Sequence, residues 1–231
     1  MKKLLILIVA TFFITHVQAQ KIYVQGGVNL ANISKDADGQ TEKNNMLTTF
    51  NAGLMGRVDI ASPLQLETGL LLSGQGAKAE TYWNNGNDYV KAKFNPLYIQ
   101  LPVNLVINFP MAANKNNGFF INAGPYIAMG VGGKSKIDGK IAGIVFSSEN
   151  DIKFNDDDPT TNQQEGASYD RLKRFDYGVN LGGGFNLNKI IIKANYGLGL
   201  AKINSTQTNN NDDDKNKFRT LSLSLGIPLG K

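Results

Sequence analysis

The sequence predicts an all-β protein, an eight-stranded antiparallel up-and-down transmembrane β-barrel. Three observations predict this fold class. Eight segments alternate apolar and polar residues with a period of two, which is typical of strands. The connections between these segments are short and long in strict alternation. An export signal precedes the first segment, and no later apolar run is long enough for a membrane-spanning helix.

The composition excludes several classes of chemistry. The chain has 231 residues, 25 glycines, one histidine and no cysteine, with a formal net charge of +5. Without cysteine there is no disulfide framework, Cys-based zinc site or thiol nucleophile. The histidine, His16, lies in a segment that we expect to be removed, which excludes His-dependent triads and histidine metal sites. We therefore assign no catalytic, cofactor-binding or metal-binding residue, and we expect neither a cofactor nor enzymatic activity.

Residues 1–19 have the form of a cleaved signal peptide. Two lysines precede a mostly apolar run, and Val17-Gln18-Ala19 suits cleavage before Gln20. Removal of the two lysines lowers the net charge from +5 to +3, which gives no reason to expect a nucleic-acid partner. We expect one outer-membrane β-barrel domain over residues 20–231.

Each alternating segment has one apolar face and one face of polar residues and glycine. In the fourth segment, for example, Val103 and Leu105 lie on one face and Gln100 and Asn104 on the other. Each segment has about the length of a tilted spanning strand, ~9–11 residues. The predicted strands are 21–32, 48–61, 64–76, 97–109, 119–131, 175–187, 190–200 and 221–229.

The connections differ in length according to the end of the barrel to which they belong. The short ones are Ala61-Ser62-Pro63, residues 110–118 and Asn188-Lys189. The longer, polar ones are residues 33–47, 77–96, 132–171 and 204–217. Outer-membrane barrels have short periplasmic turns and longer external loops, whereas a soluble barrel has no physical reason to sort its loops by end.

The two faces predict opposite environments. Aromatic residues of the apolar face favour the membrane interfaces: Phe109, Phe119 and Phe185 on the periplasmic side, and Phe50, Phe175 and Tyr177 on the external side. The polar face lines a narrow lumen that side chains fill. Its charged residues are Arg57, Asp59, Glu67, Arg174, Asp176 and Lys193, and its small residues include Gly27, Gly53, Gly69, Gly124, Gly130, Gly182, Gly184, Gly197 and Gly226. Because buried charges persist when paired, we expect a plugged, ion-paired interior.

Glycine-rich strand motifs recur in a fixed order along the chain. They are Gly26-Gly27-Val28-Asn29, residues 67–76 (ETGLLLSGQG), Leu97-Tyr98-Ile99-Gln100-Leu101-Pro102, Gly124-Pro125-Tyr126, residues 177–184 (YGVNLGGG) and residues 195–200 (NYGLGL). In order and spacing they resemble the outer-membrane β-barrel family common in Bacteroidota, often labelled porin-family or PorT-like proteins. The resemblance implies an eight-stranded barrel without recurring catalytic residues. The chain departs from many such barrels because it ends Pro228-Leu229-Gly230-Lys231 and not in an aromatic residue.

Three carboxylate clusters and one glycine run are considered as sites for calcium or phosphate. Asp156-Asp157-Asp158 and residues 209–214 offer the oxygen ligands that calcium prefers, and residues 35–39 resemble half a calcium loop. No ligand spacing is enforced, so we interpret all three as solvated loop segments. Gly182-Gly183-Gly184 lies within a predicted strand with no helix after it, which excludes a phosphate-binding loop.

Two further patterns concern a turn and a carboxylate pair. Asp138-Gly139 is predicted to turn a small hairpin beyond the membrane. Asp59 and Glu67 are an acid–base pair in principle. Their alternation phase places both in the packed lumen, so we expect structural pairing.

These observations favour a non-catalytic outer-membrane barrel that is structural or presents long external loops for binding. The expected partners are the lipids of the outer membrane and an external or envelope partner of the loops. Two alternatives remain: a small channel for ions or solutes, and a soluble lipocalin-like carrier whose apolar face lines a ligand cavity. The single tryptophan, Trp83, argues against the carrier because it falls in a predicted loop and not in the first strand.

Overall fold

The computed structural model describes residues 21–34, 46–111, 114–154, 171–203 and 216–229. The signal peptide predicted at residues 1–19, residues 35–39, Asp156-Asp157-Asp158 and residues 209–214 lie outside the described residues. None of the described residues forms a helix that is long and apolar enough to cross a membrane. The strands are β1 (Lys21–Ser34), β2 (Leu47–Ala61), β3 (Leu64–Gly74), β4 (Ala77–Trp83), β5 (Asp88–Met111), β6 (Asn114–Ile141), β7 (Ile144–Asp151), β8 (Lys153–Phe154), β9 (Arg171–Leu172), β10 (Phe175–Leu187), β11 (Ile190–Gly199) and β12 (Lys217–Pro228).

Eight of these strands close into a ring. Around the barrel the order is β1, β2, β3, β5, β6, β10, β11 and β12, and β12 pairs with β1. Every pairing in the ring is antiparallel between strands that follow one another around the up-and-down path. These eight strands correspond one for one to the predicted strands, so the predicted fold class is confirmed.

The structure shows which face of each alternating strand points outward. In β1, Val24 and Val28 are exposed on the outside, whereas Gln25 and Asn29 are buried inside. The apolar face therefore points outward and the polar face lines the lumen. This arrangement is the reverse of a soluble carrier with an apolar cavity, so the lipocalin-like alternative is wrong.

The short connections lie together at one end of the barrel. Asn188 adopts a positive φ of 53° in the turn between β10 and β11, a conformation that Asn tolerates well. The connection predicted at residues 110–118 is shorter than expected because β5 continues to Met111 and β6 begins at Asn114. Backbone pairing, which does not depend on side-chain polarity, extends both strands into this segment.

At the opposite end, segments predicted as loops continue as strands. β4 pairs with the first residues of β5, and β7 pairs with the last residues of β6, which gives a four-stranded sheet, β4-β5-β6-β7. We call it the upper sheet. The turn between β6 and β7 is at Ala142-Gly143, where φ is 51° and 85°, as a two-residue hairpin requires.

The predicted hairpin is therefore present, but its predicted turn at Asp138-Gly139 is wrong. Those residues lie within β6, opposite Ser147 and Phe146. The Asp-Gly signal is local and weak, and here strand pairing overrides it. Trp83, predicted in a loop, is the last residue of β4.

A β-bulge separates the barrel wall from the upper sheet. Leu97 pairs with Gly132 and Tyr98 with Gly130, which leaves Val131 as an extra residue of β6. An extra residue exchanges the two faces of a strand beyond it. As a result, even-numbered residues of β6 face outward above the bulge, and Ile137 lies opposite Ala92 of β5 on the inner face.

Candidate functional site

The lower lumen contains a buried cluster of charges centred on Glu67. This carboxylate accepts hydrogen bonds from the Tyr23 hydroxyl (2.8 Å), Arg57 Nε (2.7 Å) and Asn104 Nδ2 (3.0 Å). It also forms an ion pair with Lys193 Nζ. Glu67 has an exposed fraction of 0%, and both cations are buried with it. The prediction of an ion-paired interior is confirmed for these three charged residues.

Arg57 is held by contacts on two further sides. Its guanidinium carbon lies 4.2 Å from the centre of the Phe120 ring and 5.6 Å from that of Tyr23. Its Nη1 also donates to Asn186 Oδ1 at 3.0 Å. Aromatic faces attract a cation, most strongly where water is excluded. The cluster is therefore a rigid, packed plug.

Two residues predicted in the lumen lie at its ends. Asp59 is exposed near the β2–β3 turn and accepts a hydrogen bond from Gln65. Arg174 is exposed at the opposite end and donates to the Phe154 carbonyl at 3.3 Å. The predictions that placed both inside were wrong, because alternation assigns a face and not a depth. Glu67 therefore pairs with Arg57 and Lys193, and Asp59 takes no part in its cluster.

A small polar cavity lies above the charge cluster. Its volume is ≈ 40 Å³, and residues on its wall include Gln25, Asn51, Asn104, Asn195 and Ser224. Among the described residues, Gln25 Oε1, Asn104 Oδ1 and Asn195 Oδ1 have no hydrogen-bond partner in the protein. A cavity of this size and polarity suits a few bound water molecules. It is much too small for the ~300 Å³ or more of an ordinary ligand pocket.

A buried apolar cluster closes the outer end of the lumen. Tyr98 packs edge-on against Phe154 and Phe218, with ring centres 5.4 Å and 5.6 Å apart. Residues from outside the barrel wall complete it, including Ile152 and Leu172, whose exposed fractions are 5% and 0%. The full cluster is Phe94, Tyr98, Tyr126, Ala128, Ile152, Leu172, Ile203 and Phe218, with Ile33 and Phe154 packed against it.

Asp176 lies beside this outer cluster. It is buried, as predicted, and its Oδ2 accepts a hydrogen bond from the Tyr126 hydroxyl at 3.0 Å. The Tyr98 hydroxyl donates to the Lys173 carbonyl at 3.3 Å. Polar groups at the mouth are thus used to fix the aromatic side chains in place.

The outer surface of the barrel is a continuous apolar belt. At the end with the short turns, the Phe109 and Phe119 rings stack 4.5 Å apart and nearly parallel, and Phe185 pairs with Phe119 across β6 and β10. At the other end Phe50, Phe175 and Tyr177 are exposed. The predicted placement of aromatic residues at both edges of the belt agrees with these positions. Such girdles mark the two interfaces of a membrane-spanning barrel.

The upper sheet has two unlike faces. Its inner face, which continues from the lumen, carries Ala92, Ile137 and Phe146. Its outer face, which continues from the apolar belt, carries six lysines and four carboxylates: Lys78, Lys91, Lys93, Lys134, Lys136, Lys140, Glu80, Asp138, Glu149 and Asp151. This charged face is not among the features predicted from the sequence, although the lysines at residues 134–140 follow a period of two.

Exposed ion pairs and hydrogen bonds order part of the outer face. Lys78 pairs with Glu80 at 3.2 Å, Lys136 with Asp138 at 3.1 Å, and Lys134 with Glu149. Hydrogen bonds from Tyr82 and Lys78 hold the pKa of Glu80 below its ordinary value. The Nζ of Lys91 lies 5.4 Å from the Tyr82 ring centre and 5.0 Å from that of Tyr89. These groups are exposed or half-buried on an open surface, so each contact contributes little stability.

The described residues do not assemble a metal site, and the glycine run is part of a strand. Within the ranges the structure describes, no three His, Cys, Asp or Glu side chains come together to hold a metal ion. Gly182, Gly183 and Gly184 lie inside β10, as predicted, and pair with both neighbouring strands.

Ring closure, an outward apolar belt and aromatic girdles together define a transmembrane β-barrel. The chain belongs to the outer membrane protein beta-barrel domain family, whose model matches residues 18–205. It is therefore an outer-membrane barrel protein, located in the cell outer membrane among its lipids.

Three solved structures are similar to this chain over most of its length. Ail, the attachment invasion locus protein of Yersinia pestis, is 14% identical with a TM-score of 0.42, and the match covers 91% of this chain and 99% of Ail. Neisserial surface protein A is 12% identical with a TM-score of 0.39, covering 89% and 96%. OprG from Pseudomonas aeruginosa is 10% identical with a TM-score of 0.36, covering 91% and 94%. No curated protein sequence matches this chain.

Proposed function

We propose that this protein is a closed, non-catalytic barrel that displays its upper sheet and external connections for binding outside the cell. One observation carries the proposal: both ends of the lumen are filled, while β4–β7 continue well beyond the apolar belt. Glu67, the most buried carboxylate, is fully engaged with four donors. A carboxylate so occupied has no free lone pair directed at a substrate.

The orientation is tested by epitope accessibility on intact cells. An epitope inserted between Ala142 and Gly143 should be labelled by antibody without permeabilisation. The matched control is the same epitope between Asn188 and Lys189, at the short-turn end, which should be labelled only after the outer membrane is opened. Labelling of the second site alone on intact cells would place the upper sheet in the periplasm and contradict the display role.

Closure of the lumen is tested by solute flux. Liposomes that contain the folded protein should not swell in an isotonic sugar solution, because the aromatic cluster around Tyr98 fills the outer mouth. The comparison is the double variant Tyr98→Ala/Phe218→Ala, which removes two rings from that mouth. Swelling of the wild-type liposomes at the rate of the variant would favour the channel alternative.

The proposal includes the group of barrels to which the chain belongs within its family, and the cleavage of its export signal. We assign the chain to the PorT-like barrels of Bacteroidota, supported by the order of its glycine-rich motifs, and we place signal cleavage after Ala19. N-terminal sequencing of protein from isolated outer membranes should begin at Gln20. Recovery of protein that still begins at Met1 would refute cleavage.

A further inference from the structure

A row of three lysines crosses the outer face of the upper sheet. Lys78 of β4 lies directly opposite Lys93 of β5, and Lys93 lies directly opposite Lys136 of β6. We call these residues the lysine row. Like charges directly opposite each other on one face of a sheet are destabilising.

Neighbouring carboxylates neutralise only the ends of this row. Lys78 is 3.2 Å from Glu80, and Lys136 is 3.1 Å from Asp138. Lys93, at the centre, is exposed and has no carboxylate within ion-pair distance among the described residues. The charge of Lys93 helps to lower the pKa of Asp138, so this lysine is compensated in part. With six lysines against four carboxylates, the outer face still has an excess of two positive charges.

The position of the row relative to the membrane indicates what meets it. Leu97 is the last apolar outward residue of β5, and Lys93 follows it on the same face four residues away. At ~3.4 Å per residue and a strand tilt of ~40°, this places Lys93 ~10 Å above the top of the apolar belt. The polar headgroup layer extends roughly 5–8 Å beyond the hydrocarbon core. Long lysine side chains that reach down along the surface would meet that layer.

We propose that the lysine row binds the phosphate groups of anionic lipid headgroups in the outer leaflet. The same outer face contacts acyl chains below Leu97, so headgroups of the surrounding lipids lie against its continuation. Charge complementarity selects a phosphate-bearing headgroup, and three ammonium groups in line provide its donors. The proposal rests on the same orientation as the display role, with the upper sheet outside the cell, but not on what the external connections bind.

The test measures lipid-dependent stability of the folded full-length barrel. The protein is placed in detergent micelles with phosphatidylcholine alone or with added phosphatidic acid, and its thermal unfolding is followed by gel mobility. A lipid that binds only the folded state raises the unfolding temperature. Native mass spectrometry of the same samples counts the phosphatidic acid molecules retained.

The key variant is Lys78→Gln/Lys93→Gln/Lys136→Gln. Phosphatidic acid should raise the unfolding temperature of the wild type and not that of this variant. A basic residue near an anionic surface contributes about fivefold in affinity, so loss of three should weaken retention about 100-fold. In phosphatidylcholine alone the variant should be about as stable as the wild type, because the removal of like-charge repulsion offsets the loss of two ion pairs that contribute little at a surface. A variant that is stable there separates lost binding from failed folding.

The matched control is Lys21→Gln/Lys153→Gln/Lys189→Gln, three exposed lysines away from the row with the same loss of charge. It should behave as the wild type. The proposal would be overturned if the control lost as much phosphatidic acid retention as the row variant. It would also be overturned if phosphatidic acid raised the unfolding temperature of the row variant as much as that of the wild type.

Two further additions separate the possible sources of the anion. Inorganic phosphate at the same phosphate concentration should have no effect, and an equal effect would show a free-anion site in place of a lipid site. Soluble dextran sulfate that binds through the same row more tightly than phosphatidic acid would assign the face to an external polyanion, and the lipid proposal would be wrong.

Discussion

At the scale of single residues, Glu67 balances two buried cations in the lower lumen. Substitution Glu67→Gln leaves Arg57 and Lys193 buried without an anion. Breaking a buried ion pair in this way costs about 3–5 kcal/mol. We expect the free energy of unfolding, measured by urea titration in micelles, to fall by that amount.

The control for this prediction is Asp59→Asn. Asp59 is a carboxylate of the same barrel but is exposed at the rim, so its loss should change stability by no more than about 0.5 kcal/mol. Equal effects of the two substitutions would show that the cluster around Glu67 has no special role in stability.

A second residue-scale prediction concerns close packing against Tyr23. A Cβ added at Gly226 would lie 2.8 Å from Tyr23 Cδ2 and 3.2 Å from Ile191 Cβ. Overpacking of this kind typically costs about 1–3 kcal/mol. Gly226→Ala should therefore destabilise the barrel in the same urea titration.

Gly26→Ala is the matched comparison in the neighbouring strand β1. A Cβ there meets nothing within 4 Å, and alanine reduces the freedom of the unfolded chain. It should be neutral or stabilising by up to about 1 kcal/mol. If Gly26→Ala proves the more damaging of the two, the inward and outward assignment of these faces is wrong.

The sequence identified the members of the charge cluster but not its geometry. Alternation placed Arg57, Glu67 and Lys193 on the inner face correctly, because the period of two is a local property. Whether two inward residues meet depends on strand order and register, which join residues 126 positions apart in the case of Lys193 and Glu67. Asp59 and Arg174 were placed in the lumen for the same reason. Both have the alternation phase of inward residues, but they lie at the two ends of the lumen, and the phase does not give the depth.

At the scale of strands, the outward face of β5 is defined by its contact with lipid. Leu105 points outward near the middle of the apolar belt, with an exposed fraction of 44%. Leu105→Arg should cost about 2–4 kcal/mol when the protein folds into bilayers. Urea titration in liposomes measures this cost.

Ile60→Arg provides the depth control. Ile60 is also outward, with an exposed fraction of 60%, but lies one residue before the end of β2. Near an interface the cost falls to about 0–1 kcal/mol. A penalty for Ile60→Arg as large as that for Leu105→Arg would conflict with the depth assigned to the belt.

Strand prediction was accurate in the membrane and inaccurate above it. Within the belt one face must be apolar, so the pattern is strong and all eight strands were predicted. In the upper sheet both faces are exposed at least in part, and the Asp138-Gly139 pair mimics a turn. Backbone pairing holds most of this sheet together: β4, β7 and the continuations of β5 and β6. Because backbone pairing does not require particular side chains, it produces no pattern that can be recognised in the sequence.

At the scale of the whole molecule, the barrel consists of three layers along its axis. A charged plug lies below, a small polar cavity lies in the middle, and an aromatic cluster lies at the outer mouth. Eight strands enclose an interior that side chains can fill, so closure is the natural state of a barrel of this size. The outer surface then meets lipid along the belt, and the upper sheet stands beyond it.

The gel mobility of the membrane-extracted protein, with and without boiling, tests whether the chain forms a closed transmembrane barrel. The barrel is held by antiparallel pairing around the whole ring, so the unboiled protein should remain folded in detergent and migrate faster than the boiled protein. This heat-dependent shift is expected for protein recovered from the membrane fraction. A protein found in the aqueous fraction, with one mobility before and after boiling, would contradict it.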